Sequence, residues 1–201
     1  MKKIEAIIFA AGESLRYGVN KLLLPIGDRP ALLHAVHTLR VAGVDEVTLI
    51  TGVYHEEIQQ AFVGEKVRII FNPQYKQGMS STVRFSVEHI RQNSASIFFL
   101  PGDVPLFSER TIKAMVQQNL KHRIVIPMYH KKKGHPVLLD RKIAKECLDA
   151  DLEMPLYEVI RKHQNEVYFL DCDDQGVVLD IDTSEDYKTI LDYFKTTYGS
   201  N

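Results

Sequence analysis

The chain has 201 residues, 45% of them hydrophobic and 25% charged, with a formal net charge of −1. That is enough for one domain, residues 1–201, with a core of its own, and the mixing of acids with bases leaves no footprint for nucleic acid or an anionic membrane. No apolar run reaches the length of a bilayer span and Met1-Lys2-Lys3-Ile4 enters a strand with no signal-peptide core, so the expected location is the cytoplasm.

Ile4 to Ile8 reads as a buried first strand. It runs into Phe9-Ala10-Ala11-Gly12-Glu13-Ser14-Leu15-Arg16-Tyr17-Gly18-Val19-Asn20-Lys21, whose small residues let backbone N–H groups approach an anion and whose Arg16 and Lys21 add positive charge. It is neither a Walker A sequence nor a dinucleotide fingerprint. The competing reading is a surface turn with two solvated cations. A helix is predicted from Pro30 to about Ala42, with Leu32, Leu33, Val36 and Leu39 on one face. A strand over Glu46–Thr51, a short helix near His55–Phe62 and a strand over Val67–Phe71 follow, the last stopped by Asn72-Pro73.

From Ser80 to Arg91 the pattern is helical, and Ile97–Leu100 is a fully apolar strand. A helix over about Ser108–Leu120 turns Ile112, Met115, Val116 and Leu120 toward the core, and Ile124–Met128 is another strand. Tyr129 to Asp140 reads as a substrate loop or short hairpin. Helical stretches near Arg141–Cys147 and Pro155–His163, a strand over Glu166–Leu170 and a closing helix from Ser184 complete the chain. Thr183 and Asp186 have the spacing of a capping box. Strands alternating with amphipathic helices predict an α/β chain: a mostly parallel sheet with helices on both faces, three layers in all.

Three further clusters carry chemistry. Asp103, in Pro101-Gly102-Asp103-Val104-Pro105, follows a buried strand, where a carboxylate is costly unless it is paired or holds a metal; magnesium is the natural candidate, and a turn cap is the alternative. In Asp180-Ile181-Asp182-Thr183, alternation puts both acids on one side, and Asp182 is also placed to cap a helix. Gly78-Met79-Ser80-Ser81-Thr82 offers a glycine and three hydroxyls at a helix start, suited to a nucleotide phosphate or to ordinary N-capping. Lys131 and Lys132 read as a solvated loop tip. For Cys147 and Cys172, isolated thiols are favoured over one disulfide, and their spacing does not suit zinc.

The run small-small-Gly-x-Ser-x-Arg-x-Gly-x-x-Lys, followed by Leu22-Leu23-Leu24-Pro25 and Gly27-Asp28-Arg29-Pro30, resembles the signature loop of the nucleotidyltransferase superfamily, whose members have a Rossmann-like sheet. Its Ala-Ala-Gly form is most similar to the molybdenum cofactor cytidylyltransferases. The resemblance implies that Ala10, Ala11, Gly12 and Ser14, with Gly78, Ser80 and Ser81, bind the nucleotide. Arg16 and Lys21 then neutralise the triphosphate, and Asp103 and Asp182 hold Mg2+. His135, in Gly134-His135-Pro136, faces the acceptor and could bind or protonate a phosphate near neutral pH, a turn imidazole being the alternative.

The activity implied is transfer of CMP from CTP to the phosphate of molybdopterin, with pyrophosphate released. CTP is preferred because guanylyl-transferring relatives carry Gly where Ala11 stands. The product would pass to a molybdoenzyme or its chaperone. Two other readings stay open: the same chemistry on another small phosphorylated acceptor, or a non-catalytic protein that binds and delivers the cofactor.

Overall fold

The computed structural model describes residues 3–13, 18–149 and 151–199. Its first strand, β1 (Lys3–Ala10), is central because it is apolar on both faces: from Ala6 to Ala10 no residue is more than 8% exposed. Alternate side chains serve opposite cores. Ala6, Ile8 and Ala10 point into one apolar cluster, and Ile7 and Phe9 into the other.

After β1 come a small ribbon of β2 (Pro25–Ile26) and β3 (Arg29–Pro30), then α1 (Ala31–Val41), β4 (Glu46–Thr51), α2 (His55–Ala61) and β5 (Arg68–Phe71). Next are α3 (Met79–Glu88), β6 (Ser94–Pro101), α4 (Glu109–Asn119) and β7 (Ile124–Tyr129). The remainder is β8 (Lys132–Lys133), β9 (Val137–Asp140), α5 (Arg141–Lys145), α6 (Pro155–Lys162), β10 (Val167–Asp171) and α7 (Ser184–Tyr198). The main sheet runs in the order β10-β7-β9-β6-β1-β4-β5, with β8 paired to the end of β7. β4, β5 and β6 are parallel to their neighbours around β1, and β10 is parallel to β7.

β9 runs the other way, between β6 and β7. The expectation of a loop or hairpin over Tyr129–Asp140 is therefore half met. The hairpin exists as β7 and β8, but Val137, Leu138 and Leu139 form a buried antiparallel strand in the middle of the sheet. One face of the sheet is covered by α1, α2 and α4, through residues such as Leu32, Leu39, Ile58 and Met115. On the other face lie α3, α5 and α6, through Val83, Val87, Ile143 and Val159. Phe98 and Phe99 are both fully buried, one to each side, and each contributes about 3 kcal/mol of apolar burial.

Two other expectations shift. Leu120 caps α4 at its C-terminal end and is 83% exposed rather than core-facing, because the helix stops one residue before it. Pro30 is the N-cap of α1 rather than part of its first turn. Both cysteines are free thiols; burial, with Glu146 adding to it, pushes Cys147 up to about 12, so it is chemically quiet.

The parallel strands end in register, with Ala10 beside Thr51 and Phe9 beside Pro101. The loops that follow β1, β4 and β6 therefore start shoulder to shoulder at one edge. Glycine is required where they touch. A Cβ on Gly52 would lie 2.5 Å from the Ala11 carbonyl oxygen, and one on Gly102 would lie 2.8 Å from that of Phe9. Open α/β sheets bind ligands along this carboxyl edge.

Candidate active site

At that edge lies a cleft of about 570 Å³, walled by Ala11 and Gly12 on one side, Tyr75 and Thr82 on another, and Asp103 and Asp182 at its acidic end. Lys21 enters it from a single 3-10 turn, Lys21–Leu23, that follows the loop after β1. Asn20 caps this turn by accepting from the Leu22 N–H at 3.2 Å, and buried Leu22 anchors it to the core. A capped and anchored turn fixes the direction in which the lysine leaves the backbone.

The Lys21 ammonium donates to Asp103 Oδ2 at 2.7 Å and to Asp182 Oδ1 at 2.8 Å. Burial by itself would lower the lysine's pKa, but the two carboxylate bonds and their charges outweigh it and hold the group above 10.5, so it is an ammonium at neutral pH. The Lys21 and Asp103 side chains are only 15% and 23% exposed, against 50% for Asp182, so the first pair is the better shielded from water.

Two features bring the acids together. Asp103 lies two residues beyond β6, and the Ile181 N–H donates to the Asp103 carbonyl at 3.0 Å, stitching the segment before α7 to the turn that follows that strand. Ile181 is fully buried while Asp180 and Asp182 are exposed, as alternation predicts. Asp182 in turn precedes a capping box: Thr183 accepts from the Asp186 N–H, and Asp186 accepts from the Thr183 N–H at 2.8 Å. α7 is seated on the β2–β3 ribbon, where Gly27, at φ +61°, leaves room for Phe194.

Asp180 reports on the local field. Burial first, then the charges of Asp103 and Asp182, raise its pKa above the usual carboxylate value. Among the described residues that line the cleft, Glu13, Asp103 and Asp182 outnumber Lys21 and Lys76, a balance that suits a divalent cation. Among the described residues no three His, Cys, Asp or Glu side chains form a metal cage. Two convergent hard oxygen donors with the remaining positions left to phosphates are nonetheless the donor set that magnesium commonly uses, so the residues present fit it.

The other expected site residues are distributed unevenly. Ala11 and Gly12 line the cleft, while the Ala10 side chain is buried in the core beneath it. Ser14 and Arg16 lie outside the described residues. Gly78, at φ +88°, opens α3 and lines the cleft. Ser80 is half-buried and is not among the lining residues. Ser81 is not free for a nucleotide: its hydroxyl donates to the Gln74 carbonyl at 2.9 Å and accepts from Asn72 at 3.3 Å. Thr82 lines the cleft, but its hydroxyl is engaged too, accepting from Asn72 at 3.3 Å and donating to the Gly78 carbonyl at 3.4 Å.

His135 also departs from its expected role. Its backbone N–H donates to the Val177 carbonyl at 2.8 Å, and its side-chain Nδ1 is buried with no hydrogen-bond partner among the described residues. Burial pulls its pKa below 6.5 despite the opposing charge of Asp103, so the ring is neutral near pH 7. As a neutral ring it can offer or accept a hydrogen bond, and it lies outside the cleft lining.

Sequence reasoning missed Asn72, Tyr75 and Lys76. Asn72 is fully buried, donates to both Ser81 and Thr82 and accepts from the Gln74 N–H at 2.9 Å, tying the turn that carries Tyr75 and Lys76 to α3. The signal was the strand-stopping Asn72-Pro73, read only as a terminator.

Residues 6–167 match the family described as the MobA-like NTP transferase domain. The molybdenum cofactor cytidylyltransferase of Escherichia coli (strain K12) is 26% identical over 192 residues, covering 94% of this chain and 96% of that protein. The bifunctional protein GlmU of Geotalea uraniireducens (strain Rf4) is 35% identical over 129 residues, or 63% of this chain and 28% of that protein, so the chain answers to a fraction of GlmU's length. Among solved structures, Rv0371c from Mycobacterium tuberculosis H37Rv superimposes with a TM-score of 0.83 over 95% of this chain and 98% of that one, at 23% identity. A complex of Rv0371c with manganese gives 0.78 over 94% and 98%, at 21% identity. At those identities the superpositions establish the fold alone, and it is the match across 6–167 that assigns the chain: it belongs to the MobA-like NTP transferase domain family and is a nucleotidyltransferase of that type.

Proposed function

We propose that the protein transfers CMP from CTP to the phosphate of a molybdopterin-type acceptor, with magnesium and in the cytoplasm, as one nucleotidyltransferase domain. The observation that carries this reading is the convergence of Asp103 and Asp182 on one ammonium, beside Ala11 and Gly12. The choice of acceptor and base is supported by the near full-length likeness to the E. coli cytidylyltransferase and by Ala11 in the loop.

In this reaction an oxygen of the acceptor phosphate bonds to the α-phosphorus of the nucleotide, and the bond from that phosphorus to the bridging oxygen of pyrophosphate breaks. A phosphate monoester has a second pKa of about 6 and is already largely dianionic at neutral pH, so no general base is needed. What the chain must supply is placement and charge. Ala11 and Gly12 offer small residues whose backbone can approach the phosphates, and Lys21 supplies a positive charge for the triphosphate. Tyr75 and Thr82 wall the far side. Asp103 and Asp182 would hold Mg2+, which when bound neutralises charge developing on the phosphates.

One rival is the same transfer to a different small phosphorylated acceptor, since the family match gives the NTP transferase domain without naming the acceptor. Pyrophosphate release measured with each of CTP, GTP, ATP and UTP, against molybdopterin and other phosphorylated acceptors, separates the two. Release with CTP and molybdopterin is expected, and a preference for any other pair overturns the assignment. A parallel melting assay should show CTP with magnesium as the most stabilising nucleotide, by about 2.7 kcal/mol at 100 times its dissociation constant.

A further inference from the structure

A divalent ion can take Asp103 Oδ2 and Asp182 Oδ1 only by displacing the Lys21 ammonium, which donates to both, at 2.7 and 2.8 Å. Among the described residues no other cation is bonded to either acid. The converse also holds. If Lys21 left alone, the two carboxylates that share it would face one another with no counter-charge bonded to them among the described residues. Each cation's departure is therefore tied to the other's arrival.

Resting on the reading of Asp103 and Asp182 as the metal-holding pair, we infer that Lys21 is an exchangeable counterion that closes the acid pair to a bare divalent ion and releases it when a nucleoside triphosphate gives the ammonium a new anion. Lysine suits such an exchange: a compact charge on a flexible four-carbon stem can swing between acceptors while its backbone stays put. The backbone here is pinned by the Asn20 cap and by Leu22, and the side chain lines the same cleft as Ala11 and Gly12. One side chain thus serves carboxylates and phosphates in turn. By linkage, whatever the nucleotide does to metal affinity the metal does equally to nucleotide affinity, so the two load together.

The test is Mn2+ binding, followed by electron paramagnetic resonance with no nucleotide present. Lys21→Met removes the competing ammonium and is expected to tighten Mn2+ binding by ~10- to 100-fold, the worth of charged hydrogen bonds no longer opposing the ion. Lys21→Gln, which keeps an N–H donor without the charge, serves if the methionine variant fails to fold. Lys76→Met removes a cation lining the same cleft and is expected to change Mn2+ affinity by less than about twofold, since screened charges act weakly at range.

Equal Mn2+ affinity in wild type and the Lys21 variants, with CTP still promoting Mn2+ binding, overturns the exchange and leaves the metal site standing. An equal gain in Lys76→Met overturns it too, by reducing the effect to net charge. No Mn2+ binding to any form even with CTP removes the metal-site reading and the exchange with it.

Discussion

Asp103 and Asp182 do not have equal standing. Asp103 is the better shielded, bonds Lys21 at 2.7 Å and carries through its carbonyl the bond from Ile181. Asp103→Asn should cut pyrophosphate release by about two to three orders of magnitude, since a metal's contribution is several kcal/mol and each 1.4 kcal/mol is tenfold. The melting temperature should change little, and unchanged turnover would remove Asp103 from the mechanism. His135 gives a pH signature. Its folded-state pKa lies below 6.5, so in that window the unfolded chain binds more protons, and stability rises with pH and is lost on acidification. His34, whose pKa is also lowered, chiefly by burial, acts in the same sense. Melting temperatures of His135→Gln measured on the acid side of pH 6.5 should therefore fall less steeply than those of the wild type, and an identical slope would show that the ring is not held neutral.

Among the elements, α7 matters for what stands in front of it. Thr183→Ala removes half of the capping box and should cost about 1 kcal/mol in denaturant unfolding. Because Asp182 is the adjacent residue, the same change should weaken Mn2+ binding measured with CTP, and wild-type binding in the destabilised variant would separate the cap from the site. The box was legible because its residues are three apart. So were β1, β4, β6 and β7, whose apolar runs declare burial without reference to anything distant. β9 was not. Val137, Leu138 and Leu139 form a run too short to claim a strand, and β6, one of the neighbours that bury it, ends 36 positions earlier at Pro101. Ser81 looked available because sequence shows a hydroxyl at a helix start but not the Asn72 amide that holds it. The pairing of Lys21 with Asp103 and Asp182 spans 82 and 161 positions, which no local pattern encodes. Resemblance suggested that these residues share a site; only the sheet's register and the Ile181 bond give the physical reason.

For the molecule as a whole, the two apolar layers are not separable. The same strands supply both, residue by residue, with Phe98 on one face and Phe99 on the other. Loss of either layer should therefore release the other, and far-UV circular dichroism and tyrosine fluorescence should report one shared urea midpoint. Tyrosine is the usable fluorophore, with nine present and no tryptophan. Two separated midpoints would show that the layers open independently. The chain order of the acidic end also has a consequence during synthesis. Lys21 and Asp103 fall inside the span matched by the family and Asp182 falls beyond it, so the second acid is translated well after the first. At about 5–20 residues per second a ribosome finishes Asp103 several seconds before Asp182. Until Ile181 has emerged to clasp the turn after the sixth strand, the nascent chain holds a lysine and one aspartate with no companion acid. A polypeptide synthesised only that far would therefore lack the second acid of the pair, and is expected to bind Mn2+ more weakly than one that has reached Asp182.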